Sequence, residues 1–267
     1  MLRPIPAVIE RQVVPRRFGR QLPARTAFTW LAAGWQDFIH SPLSSLAYGL
    51  FLTLLSYAVL FILNATGLLY LALPAISGFL ILGPFLALGL YAKSQRRMDG
   101  QTISLGEMLL VRPAAGAQLA YAGLFLGLLV LLWLRAADLL YALFFGIVPF
   151  PGAEDAFINV FTTERGIGLL IVGSLVGGLF AAFAFAVSLF SIPMMLAEPR
   201  DALTAMGKSF VMTVQNLNVT LVWGAIVAAG LAVSVLTGLV ALAIVFPVLG
   251  HGTWHAYRAI RLQEEVV

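Results

Sequence analysis

The sequence predicts an all-α membrane protein, a polytopic bundle of six transmembrane helices arranged as three hairpins with both termini in the cytoplasm. Of its 267 residues, 61% are hydrophobic and only 10% are charged, whereas a soluble domain carries about 25% charged residues. The apolar residues are also gathered into runs that can cross a bilayer, which takes about 20 residues per helix. This composition excludes a soluble enzyme, a nucleic-acid-binding domain and a disordered chain. The absence of cysteine excludes disulfide and thiolate chemistry.

Six apolar segments follow one another along the chain. The first four are residues 44–66, 68–92, 117–145 and 166–196. The last apolar tract, 219–250, would form a helix of about 48 Å, which is too long for one upright span. We therefore divide it at Thr237 and Gly238, with a fifth span beginning within 208–218 and a sixth continuing to Arg258. Five spans remain the alternative.

The basic residues support six spans. With that number, 14 of the 16 Lys and Arg residues lie on one side of the membrane, as the positive-inside rule requires of the cytoplasmic side. Residues 1–25 hold six Arg against one Glu, together with four Pro. They predict a flexible, poorly packed cytoplasmic tail that contacts anionic lipid. The expected location is the bacterial inner membrane.

Two further segments complete the predicted domain organisation. Residues 26–41 form an amphipathic helix at the membrane interface, stopped by Pro42, and residues 42–262 form the transmembrane domain. Aromatic and basic residues at headgroup level anchor a protein in the interface or form a docking surface. The candidates for either role are Trp30, Trp35, Phe38, Arg96, Arg97, Trp254 and Arg258.

Few side chains suggest chemistry. Arg135 and Asp138 are three residues apart on the third span, where they can pair, and their distance from its cytoplasmic start favours an ion pair at the outer interface. His251 and His255 share one helix face with a spacing that metal sites use, but no acidic residue is near them in sequence. They are weak metal candidates, and interfacial hydrogen bonding is favoured. No Ser/His/Asp or Ser/Lys arrangement is apparent, so we expect no catalytic residues and no cofactor.

Proline and glycine predict how the helices bend and pack. Pro84, Pro193 and Pro247 lie before the cytoplasmic ends of even-numbered spans, where they are expected to kink them. Gly173, Gly177 and Gly178 form ladders of small residues suited to close helix contact. That contact can be within the chain, with a second copy or with another membrane protein.

Three strings in the sequence resemble one known family. They are WLAAGWQDFIHSPLSSLAYG, GPFLALGLYAKSQRRMDG and PVLGHGTWHAYR, and they are similar to the bacterial integral-membrane family catalogued as domain of unknown function 2189. The resemblance implies a multi-span inner-membrane protein without an established activity. Some similar proteins carry a cytochrome oxidase subunit I label, but a haem–copper catalytic subunit needs more histidine ligands than the three present. The label therefore fits only an accessory or assembly role.

Two functions remain open. The first is a non-catalytic accessory, assembly or scaffold component of a membrane complex, with a respiratory oxidase as the candidate complex that the label on similar proteins implies. The alternative is a small permease or lipid-handling protein that uses the proline-broken second and fourth helices. The middle of the predicted spans carries no ionisable residue, which argues against proton-coupled transport.

Overall fold

A computed structural model describes residues 18–146 and 153–261, and this part of the chain is helical, with no strand. A short 3-10 turn, Leu69–Leu71, precedes the third helix. The helices are α1 Thr26–His40, α2 Pro42–Ala65, α3 Ala72–Leu86, α4 Leu88–Met98, α5 Leu105–Leu109, α6 Gln118–Phe145, α7 Ala153–Thr162, α8 Glu164–Ser188, α9 Ser191–Ala197, α10 Ala202–Gln215, α11 Leu217–Leu236 and α12 Leu242–Arg261.

Five stretches of the described chain are long and apolar enough to cross a membrane. They are α2, α3 continued into α4 (Pro74–Met98), α6, α8 continued into α9 (Glu164–Ala197), and α11. The sixth predicted span, α12, is not among them, because polar and basic residues fill its C-terminal half.

The chain reverses direction between α11 and α12, as the sequence predicts. Gly238 and Leu239 both have positive φ, and the Tyr57 hydroxyl donates a hydrogen bond to the carbonyl of Gly238. From this turn α12 runs back antiparallel to α11 and reaches the level of α1. The sequence predicts that the fifth span begins within residues 208–218. Most of that stretch belongs to α10, which ends at Gln215, and the spanning helix α11 begins only at Leu217.

The helices form two groups. Helices α3, α6 and α8 pack against one another. Helices α1, α2 and α11 each pack against α12. Helix α4 contacts α12, α5 and α9, so it links the two groups at one end of the bundle.

Near two of the three prolines that are predicted to kink a span, the span is interrupted and consists of two successive helices. Pro84 precedes the interruption at Ala87, and Pro193 follows the one at Leu189 and Phe190. Other helices satisfy the backbone groups freed there. The Tyr48 hydroxyl donates to the Leu86 carbonyl at 2.7 Å, and the Ser209 hydroxyl accepts from the Phe190 amide at 3.0 Å. Pro247 lies within α12, which continues through it.

The closest helix crossings use glycines that the small-residue ladders do not include. A Cβ on Gly34 of α1 would overlap the Val248 carbonyl oxygen and lie 2.6 Å from the Gly252 amide nitrogen of α12. Of the predicted ladder, Gly177 packs against Trp133 of α6, whereas a Cβ on Gly173 or Gly178 would meet no atom within 4 Å. Of the contacts left open for these glycines, packing within the chain therefore applies to Gly177, and no contact within the described chain occupies the space beside Gly173 and Gly178.

The end of the predicted tail is held to the bundle. Phe18 is buried, its amide donates to the Gln215 side chain, and its carbonyl accepts from Asn216. The expectation of a poorly packed segment is therefore wrong at Phe18, whereas Gln21 and residues 23–25 are exposed. Residues 1–17 of the predicted tail lie outside the described residues.

Candidate functional site

A cluster of buried polar and charged side chains lies where α1, α2, α4 and α12 meet. We call it the polar cluster and define it as Asp37, Ser45, Lys93, Ser94, Arg97, His251 and His255. Its members come from the first turn of α2, from the C-terminal parts of α1, α4 and α12, and from no other element. It therefore lies at one end of the bundle and not halfway along its spans.

His251 is the centre of the polar cluster and is fully buried. Its Nδ1 lies 3.1 Å from the Leu90 carbonyl oxygen, which can only accept a hydrogen bond, so we assign the ring proton to Nδ1. Its Nε2 then accepts from the Ser45 hydroxyl at 2.9 Å. The Ser94 oxygen, 2.8 Å from Nδ1, accepts on the other side.

The hydrogen bonds of this ring connect a buried cation to a buried anion. Lys93 Nζ donates to the Ser45 oxygen at 2.6 Å, and Ser45 donates to His251. At the other end, the Ser94 hydroxyl donates to Asp37 Oδ2 at 2.5 Å. The chain thus runs from Lys93 through Ser45, His251 and Ser94 to Asp37, and each described donor in it has an acceptor.

Asp37 is 3% exposed and receives three side-chain donors. Arg97 pairs with Oδ1, and His255 Nε2 lies 2.9 Å from Oδ2, which Ser94 also contacts. Burial raises the pKa of Asp37, but the hydrogen bonds from His255 and Ser94 and the nearby histidines outweigh it, so the pKa lies below its usual value. The carboxylate is therefore ionised at neutral pH.

Lys93 is as buried as Asp37, although it is the first basic residue after a predicted span. Its Nζ donates to the Ser41 carbonyl oxygen at 2.5 Å and to the Ser44 hydroxyl at 3.0 Å, in addition to Ser45. These three acceptors form the start of α2. The lysine thus ties α4 to the α1–α2 junction. A basic residue directly after an apolar run usually extends into the headgroup region, and Lys93 does not.

The polar cluster adds partners that the sequence did not suggest. His255 contacts an acidic residue that is distant in sequence, Asp37, 218 positions away. Ser, His, Asp and Lys side chains are also within hydrogen-bond distance of one another, although the sequence suggests no such arrangement. Ser45, Ser94 and His251 are each fully buried, so the two hydroxyls and the imidazole ring are not accessible to a substrate. Among the described residues, no group of three or more His, Asp or Glu is placed to hold a metal.

A smaller ion group lies beside the polar cluster. Glu198 accepts from the Tyr257 hydroxyl at 2.7 Å and from Arg261 Nε at 3.0 Å, and Arg200 Nε lies 3.1 Å away. Burial raises the pKa of Glu198, but these hydrogen bonds and charges outweigh it and lower the pKa. The group links the end of α12 to the segment after α9, and the sequence did not suggest it.

The residues expected at the membrane interface divide into buried and exposed sets. Trp30 is buried with its ring edge-to-face against Trp223, and Phe38 and Trp254 are buried as well, so a lipid-facing role is wrong for all three. Trp35 is 48% exposed and stacks on Phe38. An amphipathic helix face indicates burial, but it does not distinguish a protein neighbour from lipid.

The basic and acidic candidates also have different surroundings. Arg97 belongs to the polar cluster, Arg96 is exposed, and the buried Nε of Arg258 has no hydrogen-bond partner among the described residues. Arg135 and Asp138 form the expected pair, with 3.5 Å between Nη1 and Oδ2, and the arginine side chain is 82% exposed.

Two cavities lie near the helix breaks. An apolar crevice of about 70 Å³ runs between the α3–α8 and α11–α12 pairs, with Gly83, Pro84, Phe185, Trp223 and Thr253 in its wall. A larger pocket of about 670 Å³ with a mixed lining lies between α4, α5 and the end of α9.

The comparisons with known proteins agree with the resemblance in the sequence. Residues 72–197 match the family model described as predicted integral membrane protein, DUF2189. The family resemblance is thereby confirmed over that segment. No curated protein and no solved structure matches the chain. The matched segment covers slightly less than half of the chain, and it is similar to a family described as predicted integral membrane proteins.

The structure brings together the three strings that carry the resemblance. Asp37 and Ser45 belong to the first, Lys93, Ser94 and Arg97 to the second, and His251 and His255 to the third. Only the second string lies within the segment that the DUF2189 model matches. The polar cluster is therefore the place where the matched segment joins the N- and C-terminal parts of the chain.

Proposed function

We propose that this integral membrane protein is a non-catalytic accessory or scaffold component of a membrane complex, and that an open strip on α8 contacts the neighbouring protein. The observation that carries the proposal is the strip itself. Ser174, Gly178 and Ala182 follow one another at four-residue spacing and are exposed. Small residues at this spacing allow a second helix to approach closely and are enriched at helix contacts in membranes.

The surroundings of the strip support a docking role. Leu175 and Leu179, which are 66% and 72% exposed, stand beside it as one wall of a shallow groove. The outward face of α6 carries large side chains instead, with Leu124, Leu128 and Leu131 all more than half exposed. Large apolar side chains are ordinary for a lipid-facing surface. The α8 strip differs from this face of α6 because its small side chains leave the helix backbone open to close approach.

The placement of the polar groups supports a non-catalytic role. The hydroxyls of Ser188 and Ser191, which a polar path beside Pro193 would use, donate to Ala184 and Val187 carbonyls of their own helical segment at 2.6 and 2.7 Å. Ser45, Ser94 and His251 of the polar cluster are fully buried, and the hydrogen bonds of the cluster join helices. These contacts hold a bundle in one shape, as a scaffold requires.

The proposal includes a topology of six crossings in the bacterial inner membrane, with both termini cytoplasmic. Helix α12 runs back to α1, and the positive-inside asymmetry places that end in the cytoplasm. The chain has no cysteine, so single cysteines report sidedness directly. A membrane-impermeant thiol reagent added to intact cells should label Thr66→Cys and should not label Asp99→Cys or a cysteine added after Val267. Labelling of the C-terminal cysteine would replace six crossings with five.

The accessory role is tested by native mass spectrometry of the protein extracted in native nanodiscs. We expect a companion membrane protein in fixed stoichiometry with the wild type. Gly178→Leu should abolish it because the leucine fills the strip. Gly127→Leu is the matched control, since a Cβ at that glycine also meets no atom within 4 Å, but Gly123, the small residue one turn before it, is covered by Phe85, so α6 offers no continuous open strip. A chain that is always alone, or equal loss in both variants, would contradict the proposal.

The apolar crevice beside Pro84 favours lipid handling as a second candidate function. It lies at the break between α3 and α4 and is wide enough for part of an acyl chain. In proteoliposomes with a fluorescent phospholipid, this function predicts protein-dependent lipid movement that Gly83→Leu blocks, because a Cβ at Gly83 meets no atom within 4 Å and the added side chain fills the crevice. Lipid movement equal to that of empty liposomes would exclude it.

A further inference from the structure

The pocket between α4, α5 and α9 combines two cations with an apolar rim. Its volume of about 670 Å³ lies within the range of small-molecule sites, roughly 300–1,000 Å³. The residues that decide its chemistry are Gln95, Arg96, Glu107, Leu110 and Arg112. We call it the arginine pocket.

The arginine pocket lies at a membrane boundary. Two candidate spans, Pro74–Met98 and Glu164–Ala197, end beside it. Leu109 and Leu110 on its α5 side are 47% and 81% exposed. Exposed leucines beside exposed arginines are the pattern of a segment that meets acyl chains on one side and headgroups on the other.

The charges of the pocket favour an anion. Arg96 contacts Gln101 only weakly, at 3.4 Å, and Arg112 has no ion pair with a described residue. The one acidic residue in the lining, Glu107, is occupied by the capping box of α5, where its carboxylate accepts from the Ser104 amide and hydroxyl. Hydrogen bonds from the Ser104 backbone and side chain lower the pKa of Glu107. Two guanidinium groups therefore face a cavity whose carboxylate is already bonded.

We propose that the arginine pocket binds the phosphate headgroup of an anionic phospholipid, with Arg96 and Arg112 on the phosphate and the acyl chains beside Leu110. Guanidinium groups match phosphate oxygens with paired hydrogen bonds. Basic pockets between spans on the cytoplasmic side bind lipid headgroups of this kind. The site does not depend on the α8 strip, which is on another helix.

The experiment measures lipid retention by native mass spectrometry of the full chain in nanodiscs of phosphatidylglycerol mixed with phosphatidylcholine. We expect phosphatidylglycerol to remain bound through collisional release of the other lipids. Arg96→Gln and Arg112→Gln should each weaken its retention roughly fivefold, since one basic residue near a lipid surface supplies about that factor. Arg165→Gln is the control, because that exposed arginine carries the same charge and lies at the start of α8, at the opposite end of the Glu164–Ala197 span from the pocket.

A fourth variant is expected to increase lipid retention, and two further measurements distinguish a phospholipid headgroup from free inorganic phosphate. Glu107→Gln keeps a residue that can cap α5 and removes the acidic charge, so it should increase retention. Equal retention of phosphatidylcholine, displacement by millimolar inorganic phosphate, or an equal loss in Arg165→Gln would each overturn the proposal. Unchanged retention in both pocket variants would overturn it as well.

Discussion

Removal of the Asp37 carboxylate should be among the most damaging single changes at this end of the bundle. In Asp37→Asn, the side chain keeps its size but loses its charge, so Arg97 loses its ion pair, and His255 and Ser94 lose an ionised acceptor. Breaking a buried ion pair by removing one partner costs about 3–5 kcal/mol. Arg97 and His255 are 33% and 23% exposed, so water recovers part of that energy.

We therefore expect the free energy of unfolding to fall by about 2–4 kcal/mol. For a chain of this size, that corresponds to a midpoint lowered by roughly 5–15 °C. The measurement is thermal unfolding in one detergent, followed by tryptophan fluorescence, since Trp30, Trp223 and Trp254 are buried near the polar cluster. Asp99→Asn is the matched control, because Asp99 is exposed at the same end. If both variants unfold at the same temperature, the polar cluster does not hold the bundle together and our reasoning is wrong.

Three further predictions concern stability. Because the pKa of Asp37 is lowered in the folded chain, the stability that its carboxylate contributes is present at neutral pH and is lost as the pH falls below about 4. The unfolding midpoint of the wild type should therefore fall more steeply in that range than the midpoint of Asp37→Asn. Parallel plots of midpoint against pH for the two proteins would contradict this prediction. Gly34→Ala should cost about 1–3 kcal/mol because its Cβ would force α1 away from α12. Gly207→Ala in the open middle of α10 should be neutral or stabilising by the same unfolding assay, and an equally mild effect at both sites would refute the close crossing. Tyr48→Phe should cost about 1 kcal/mol by leaving the Leu86 carbonyl without its donor at the helix break, whereas Tyr121→Phe, at a 60% exposed position, should change little.

The sequence contains enough information for the helices and turns. Apolar run length predicts α2, α6, α8 and α11, because the hydrocarbon thickness sets the number of residues needed. The Thr237–Gly238 turn is predictable because glycine adopts positive φ without strain. Pro84 and Pro193 mark helix breaks because proline removes a backbone donor and its ring crowds the preceding turn.

The polar cluster was not predictable from one sequence, for a physical reason. Lys93 at the end of an apolar run has the local pattern of an ordinary cytoplasmic anchor, and Asp37 on an amphipathic helix has that of a solvated residue. What separates them from such residues is a partner between 48 and 218 positions away, and hydropathy carries no signal over that separation. The three strings of the family resemblance were the available signal, since chemistry-bearing residues recur in all three.

The sequence also does not show whether an apolar residue faces lipid or another helix of the protein. Trp30 and Trp35 lie five residues apart on one amphipathic helix, yet one packs on Trp223 and the other is half exposed. Lipid and protein interiors are both apolar, so the same stripe suits either neighbour. Gly34 had no distinguishing pattern either, because its close partner Gly252 is on a helix at the other end of the chain.

The most direct test of the polar cluster is a double-mutant cycle between Asp37 and His255, which join the first and last helices. Unfolding free energies would be measured for the wild type, Asp37→Asn, His255→Gln and the double variant. Residues in contact couple by about 0.5–3 kcal/mol, whereas distant residues add within about 0.5 kcal/mol. We predict a coupling of about 1–3 kcal/mol for this pair and additive effects for the control cycle of Asp99 with His255. Additive effects for Asp37 and His255 would contradict the convergence of α1, α4 and α12 on one buried cluster.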